Sequence, residues 1–181
     1  ELRVHDPKTE AAMKAEIDKT RDTGDSVGGI FEVIAINLPV GLGTHTQWDK
    51  KLDGQIAQAI LSINAVKGVE FGMGFRYGEV FGSAAHDEIF YKKGHRTRTS
   101  DFYRETNNAG GFEGGMTNGE SIIVRGVLKP ISTLKKPLQS VDLKTKEAMQ
   151  AHFERADLCA VPSAGVVGEA MLGIVLANAL L

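Results

Sequence analysis

Several things are scarce in this sequence, and each scarcity excludes something. A single cysteine, Cys159, rules out an internal disulfide, so a reducing compartment, the cytoplasm, is the default expectation. Lys+Arg 21 against Asp+Glu 23 leaves a net charge of -2. So small an excess argues against bulk binding to nucleic acid or an anionic membrane, though not against a local basic pocket. The histidines, His5, His45, His86, His95 and His152, show no H-x-x-x-H or Cys/His spacing, which argues against a zinc site. Five prolines and no G-X-Y period exclude collagen, even with 21 glycines. Neither a Walker A loop nor a Rossmann fingerprint is present.

What remains is a chain of 181 residues with 42% hydrophobic content. That is enough for one domain over 1–181 with one sizeable core. The opening stretch, Glu1-Leu2-Arg3-Val4-His5-Asp6-Pro7, has no initiator Met and no apolar run. At the other end, residues 164–181 are nearly continuous apolar sequence, about the length of a membrane span. Glu169 and Asn178 interrupt it and no basic anchors flank it, so it reads as a buried core helix. Together these ends suggest a piece of a longer polypeptide.

Between them the periodicity predicts a mixture. Residues 9–23 read as a helix, with Gly24 as its C′ residue. Residues 28–37 are apolar on both faces apart from Glu32 and read as an inner strand. Residues 52–65 carry Leu52, Ile56, Ile60 and Ile63 at helical spacing. Residues 66–71, 121–128 and 138–143 read as strands, residues 145–155 as a helix, and a last helix follows Pro162. Residues 72–111 form the least regular region. Irregular interleaving of this kind is α+β or mixed α/β.

Four segments could carry chemistry. In residues 108–119 five glycines crowd ten positions, so backbone N–H groups could approach a ligand closely; composition alone favours a flexible loop with tight turns. Lys129-Pro130-Ile131-Ser132-Thr133 ends a strand with a cation, two hydroxyls and a stiffening proline. Those groups suit a phosphate or an anionic ring, while a plain exposed loop is the simpler reading. Arg155 and Asp157, two apart on an extended segment, point to one side, as an ion pair or as a site. Cys159, among apolar neighbours, reads as a buried structural thiol, and the basic run 92–98 as a solvated loop.

The order of these segments is more specific than any one of them. GDSVGGIFEVIA (24–35), PVGLG (39–43), SINAVKGVEFG (62–72), HDE (86–88), NNAGGFEGGMTNGE (107–120), KPIST (129–133) and RADLCAVPSAGVVGEAM (155–171) follow one another along the whole chain. In this set the sequence resembles chorismate synthase. Members of that family are longer on the N-terminal side. Their Gly-Ser-His-rich opening motif, a Ser-Ala-Arg motif and both catalytic histidines have no counterpart here. Where the family usually reads Arg-Ser-Asp, this chain has Ala156 between Arg155 and Asp157.

The resemblance implies anti 1,4-elimination of phosphate from 5-enolpyruvylshikimate 3-phosphate to give chorismate, a step of aromatic amino acid biosynthesis. It implies reduced FMN, used without net redox change, which some members regenerate with NADPH. It also implies a β-α-β sandwich, helices between two antiparallel sheets, assembled as a homotetramer. By position in the motifs, Asn64, Ala65, Gly114, Lys129, Pro130, Ile131, Ser132, Thr133 and Arg155 would contact FMN. Asp157 would sit near flavin N5 and assist proton movement. The competing expectation is a structural or oligomerisation segment of that enzyme. On either view residues 1–181 alone are expected to be inactive and poorly soluble.

Overall fold

A computed structural model describes residues 2–94, 101–154 and 157–181. In chain order the elements are α1 (Pro7–Thr23), β1 (Gly29–Ala35), α2 (Leu52–Leu61), β2 (Val66–Phe71), a 3-10 turn (Gly74–Glu79) and α3 (Gly82–Ala85). There follow β3 (Ile89–Tyr91), β4 (Phe102–Arg104), β5 (Phe112–Glu113), β6 (Met116–Thr117), β7 (Ile122–Leu128), β8 (Gln139–Val141), β9 (Ala148–Gln150) and α4 (Val161–Leu180). The class is α+β.

Helix α1 begins and ends where its chemistry dictates. The Asp6 carboxylate accepts from the Lys8 and Thr9 N–H groups, Pro7 occupies the first turn, and Gly24 closes the helix at φ 71. The centre of the fold is an antiparallel sheet in the order β1-β7-β2. One face of it is covered by α2 and α4. Phe31 and Val33 of β1, Ile122, Val124 and Leu128 of β7, and Val66 of β2 meet Leu52, Ile56 and Ile60 of α2 and Val161, Ala164, Leu172 and Leu176 of α4 in a single buried cluster. Two glycines let the layers close. A Cβ at Gly126 or at Gly168 would run into the Phe31 ring, so the ring fits between β7 and α4.

Among the described residues the stretch 28–37 is not an inner strand. β1 is an edge of the sheet, and the central strand is β7. The alternation of a one-sided strand holds: Phe31 and Val33 are buried, while Ile30 (61%) and Ile34 (53%) are exposed on the outer face. Glu32, also outward, binds Arg125 of β7 at 2.8 Å, and Glu70 of β2 binds it at 3.3 Å. Burial works against the charged guanidinium, but these two carboxylates outweigh it and raise its pKa.

The expected helix over 145–155 is also absent from the described residues. The Asp142 carboxylate accepts from the Lys144 and Thr145 N–H groups at 2.7 and 2.8 Å. Lys146 turns through φ 62, and the chain returns as the hairpin β8–β9. Local turn chemistry outcompetes good helix formers here. The terminal helix is long and apolar enough to cross a membrane by length and composition. Its buried residues Ala164, Gly168, Leu172 and Leu176 follow one stripe, packed on α2 and β1. Val166, Val167, Ile174 and Leu180 stay exposed, so the helix is buried on one face and not all round. The described residues thus hold one three-stranded antiparallel sheet beside the helices. The other strands form two-stranded hairpins.

Candidate functional site

Several of the residues of interest lie at one end of the sheet. Helix α2 stops at Leu61, and Ala65, at φ 70, reverses the chain into β2. A non-glycine residue in that region is strained, and such strain clusters at functional sites. Val66 pairs with Leu128 across β2 and β7, so the last residue of β7 lies beside the first of β2. One residue further, the Lys129 N–H donates to the Ala65 carbonyl at 2.9 Å. Asn64 and Ala65 are thereby brought against the start of the 129–133 loop.

A third stretch joins them. The Ser26 hydroxyl donates to the Ile131 carbonyl. A Cβ on Gly28 would run into the Leu128 carbonyl and Pro130 nitrogen. The Val27 N–H donates to the Leu158 carbonyl at 3.0 Å, which fixes the backbone one residue from Asp157. Asn64, Lys129, Pro130, Ser132 and Asp157 are exposed there, while Ala65, Ile131 and Thr133 are half-buried. The arrangement is an open shelf offering a cation, hydroxyls, an amide and a carboxylate over a tightly hydrogen-bonded base. Arg155 lies outside the described residues. Ser26 and Gly28 were legible only as part of the 24–35 motif, since their role is a contact across about a hundred residues of chain.

Gly114 is elsewhere. It sits in the β5–β6 turn, at φ 61, and the neighbouring Gly115 carbonyl accepts from the Leu52 N–H at the start of α2. Asn64 follows the other end of that helix, so the two are separated by about 15 Å of helix. The glycine-rich stretch is also less available than its composition suggests. The Gly111 N–H is used by the Asn107 side chain, and the Gly110 and Gly111 carbonyls accept from Ile123 and Asn118. These glycines build a tight scaffold round the start of β7.

Beside that scaffold is a cavity of about 300 Å³ whose walls include Asp53, Tyr77, His86, Asp87, Phe112 and Glu113. Burial, and then the Asp87 and Glu113 charges, push the Tyr77 pKa up. Asp87, the middle residue of the HDE motif, is a tie between loops. Its carboxylate accepts from the Thr106 hydroxyl (2.6 Å) and from the Asn108 (2.8 Å) and Ala109 (2.9 Å) N–H groups. Burial alone would raise its pKa, but those three donors, helped by the Arg104 charge, hold it below the ordinary value. A carboxyl depressed by folding adds stability above its unfolded pKa, and loses it as pH falls through the folded one. Asp87→Asn should therefore cost about 1 kcal/mol at neutral pH, a figure discounted for partial exposure. It should cost almost nothing well below the reference value of 3.8. Urea unfolding at pH 7 and at low pH checks this; an equal cost at both would remove the charge from the argument.

Cys159 is half-buried, in the wall of a smaller apolar cavity with Val27, Gly28, Val161 and Pro162. Of the basic run, residues 95–98 lie outside the described residues.

Comparison with known proteins bears on the whole chain. A family model described as chorismate synthase matches residues 1–181. The chain is 55% identical to the chorismate synthase of Geobacter sulfurreducens over 183 residues, covering 100% of this chain and 47% of that protein. It is 55% identical to that of Aquifex aeolicus over 181 residues, covering 100% and 44%. It thus spans a little under half the length of these relatives. A crystal structure of chorismate synthase superposes with a TM-score of 0.76 at 46% identity, over 96% of this chain and 43% of that one. A match that leaves no residue of the chain outside it, at this identity and with the fold shared, shows that the chain belongs to the chorismate synthase family.

Proposed function

We propose that this chain supplies the cofactor-loop half of a chorismate synthase. The full-length enzyme would eliminate phosphate from 5-enolpyruvylshikimate 3-phosphate in the anti 1,4 sense to give chorismate, with reduced FMN bound. The observation that carries this reading is the Lys129 to Ala65 hydrogen bond, with Ser26 on Ile131, gathering two separate motifs at one sheet end.

The donor set suits the cofactor. When bound, reduced FMN supplies an electron-rich, potentially anionic ring and a phosphate. Both are stabilised by cations and by oriented dipoles. In this reading the Lys129 ammonium offsets negative charge and the Ser132 and Thr133 hydroxyls donate to anionic oxygens. The Asn64 amide and the backbone turn at Ala65 line the other edge. Pro130 and Ile131 keep the loop in shape, and Arg155 adds a second cation. The Asp157 carboxylate holds a proton in transit. Gly114, in the β5–β6 turn, would contact the cofactor from the other end of α2. The enzyme so described would be a cytoplasmic homotetramer.

The test is an anaerobic assay of the full-length protein with reduced and with oxidised FMN. Chorismate should form only with the reduced cofactor, and residues 1–181 alone should form none. Equal turnover of the full-length protein with oxidised FMN would remove the assignment. Turnover by this chain alone would place the complete catalytic set within it.

A further inference from the structure

We infer that Ser26 is a positioning residue that, through the Ile131–Ser132 peptide, aims the Ser132 backbone N–H at an anionic group of the bound flavin. The inference rests on the reading of residues 129–133 as the cofactor loop and names one donor within it.

The loop leaves the sheet at Lys129, and Pro130 has no N–H to anchor it. Its middle is held by the Ser26 hydroxyl, which donates to the Ile131 carbonyl from a residue 105 positions away. Fixing that carbonyl fixes a plane. The peptide is trans, since the structure holds no cis bond, and in a trans peptide C=O and N–H point in opposite directions. With its carbonyl drawn toward half-buried Ser26, the same peptide must turn the Ser132 N–H away from the protein, on the exposed side of the loop. Among the described residues no acceptor engages that N–H. An oriented, unspent backbone donor beside a lysine is the arrangement that binds anionic oxygen.

The segment bearing Ser26 is itself anchored on both sides. The Gly24 carbonyl accepts from the Lys136 N–H at 3.1 Å, beyond the loop. The Val27 N–H reaches Leu158 at 3.0 Å, beside Asp157. The Ser26 N–H is turned onto the Asp25 carboxylate at 2.9 Å, which leaves the Ser26 hydroxyl as the group facing the loop. Gly28, packed on Leu128 and Pro130 with no room for a Cβ, keeps the two segments in register. The hydroxyl is thus a fixed post, and removing it frees the peptide plane without removing any group proposed to touch the ligand.

The experiment titrates full-length wild type, Ser26→Ala, Ser26→Thr and Lys129→Ala anaerobically with reduced FMN and with reduced riboflavin, alongside thermal midpoints. Ser26→Ala should weaken FMN binding about two- to tenfold, the worth of one ordinary hydrogen bond, with the midpoint retained and with recovery in Ser26→Thr. Weakening confined to FMN assigns the N–H to the phosphate, and weakening of both ligands assigns it to the ring. If Ser26→Ala fails to fold, amide exchange in the wild type decides: the Ser132 amide should exchange freely without flavin and slow when it binds. Unchanged affinity for both ligands in Ser26→Ala overturns the inference. So does a loss that tracks the midpoint and is not restored by threonine, or a Ser132 amide indifferent to flavin. If Lys129→Ala weakens binding while Ser26→Ala does not, only the Ser26 inference falls. If neither matters, the reading of the loop falls with it.

Discussion

Asp157→Asn in the full-length enzyme should lower kcat by about 10²–10⁴-fold, the range typical of a single acid/base role. The dissociation constant for reduced FMN should change little. The amide keeps the size and planarity of the carboxylate but cannot take up a proton. The structure makes the substitution a clean one. Asp157 is exposed, so no core packing is lost. The backbone beside it is held independently, by the Val27 N–H on the Leu158 carbonyl. Pre-steady-state turnover under anaerobic conditions, with a parallel flavin titration, separates the outcomes. A near-normal kcat would end the proposed role, and a collapse of flavin affinity would reassign Asp157 to building the site.

The second large effect is expected in binding. Lys129→Ala should weaken reduced FMN by about 10–150-fold, from the loss of a charge-assisted contact of about 1.5–3 kcal/mol. The backbone of Lys129 is pinned by its N–H on the Ala65 carbonyl, and its side chain is exposed. The alanine variant therefore keeps the turn and loses only the ammonium. Two further readouts follow from the electrostatic origin. Binding by the variant should depend less steeply on salt, and Lys129→Arg should recover part of the affinity, since charge is kept and only the fork geometry changes. Unchanged affinity for both FMN and substrate in Lys129→Ala would return residues 129–133 to an ordinary exposed loop.

Several groups of the candidate site were legible in the linear chain because their signals are local. The 129–133 pentapeptide carries its own cation, hydroxyls and proline. Helix α1 carries its stop at Gly24, and β2 lies over 66–71, both as expected. The failures are equally physical. Residues 145–155 have helix-forming composition, yet the Asp142 carboxylate captured two N–H groups and made a turn that the hairpin then used. The apolar outer face of β1 looked like the mark of an inner strand, but a chain read alone does not tell core from a surface that faces something else. The glycines of 108–119 left a ligand cradle and a loop of tight turns both open, and several of their backbone groups are spent on Asn107, Asn118 and Ile123.

Residue order alone determined the family: motifs that follow one another along 181 residues carry that information whatever their contacts. It also determined which groups are capable of the chemistry, because a carboxylate, an ammonium and a hydroxyl bring their properties with them. Tertiary structure decided which of them meet. Pairing β2 and β7 on the two sides of Val66 and Leu128 set Ala65 against Lys129, and the same geometry put Gly114 at the opposite end of α2. Neither outcome is written in spacing, since antiparallel register is a product of the buried face, where Val124, Ile122 and Leu128 must all point at the helices at once. Ser26 shows the difference most clearly. Its neighbours in sequence say only that it lies in a turn after a helix, and its partner 105 residues away gives the hydroxyl something to hold.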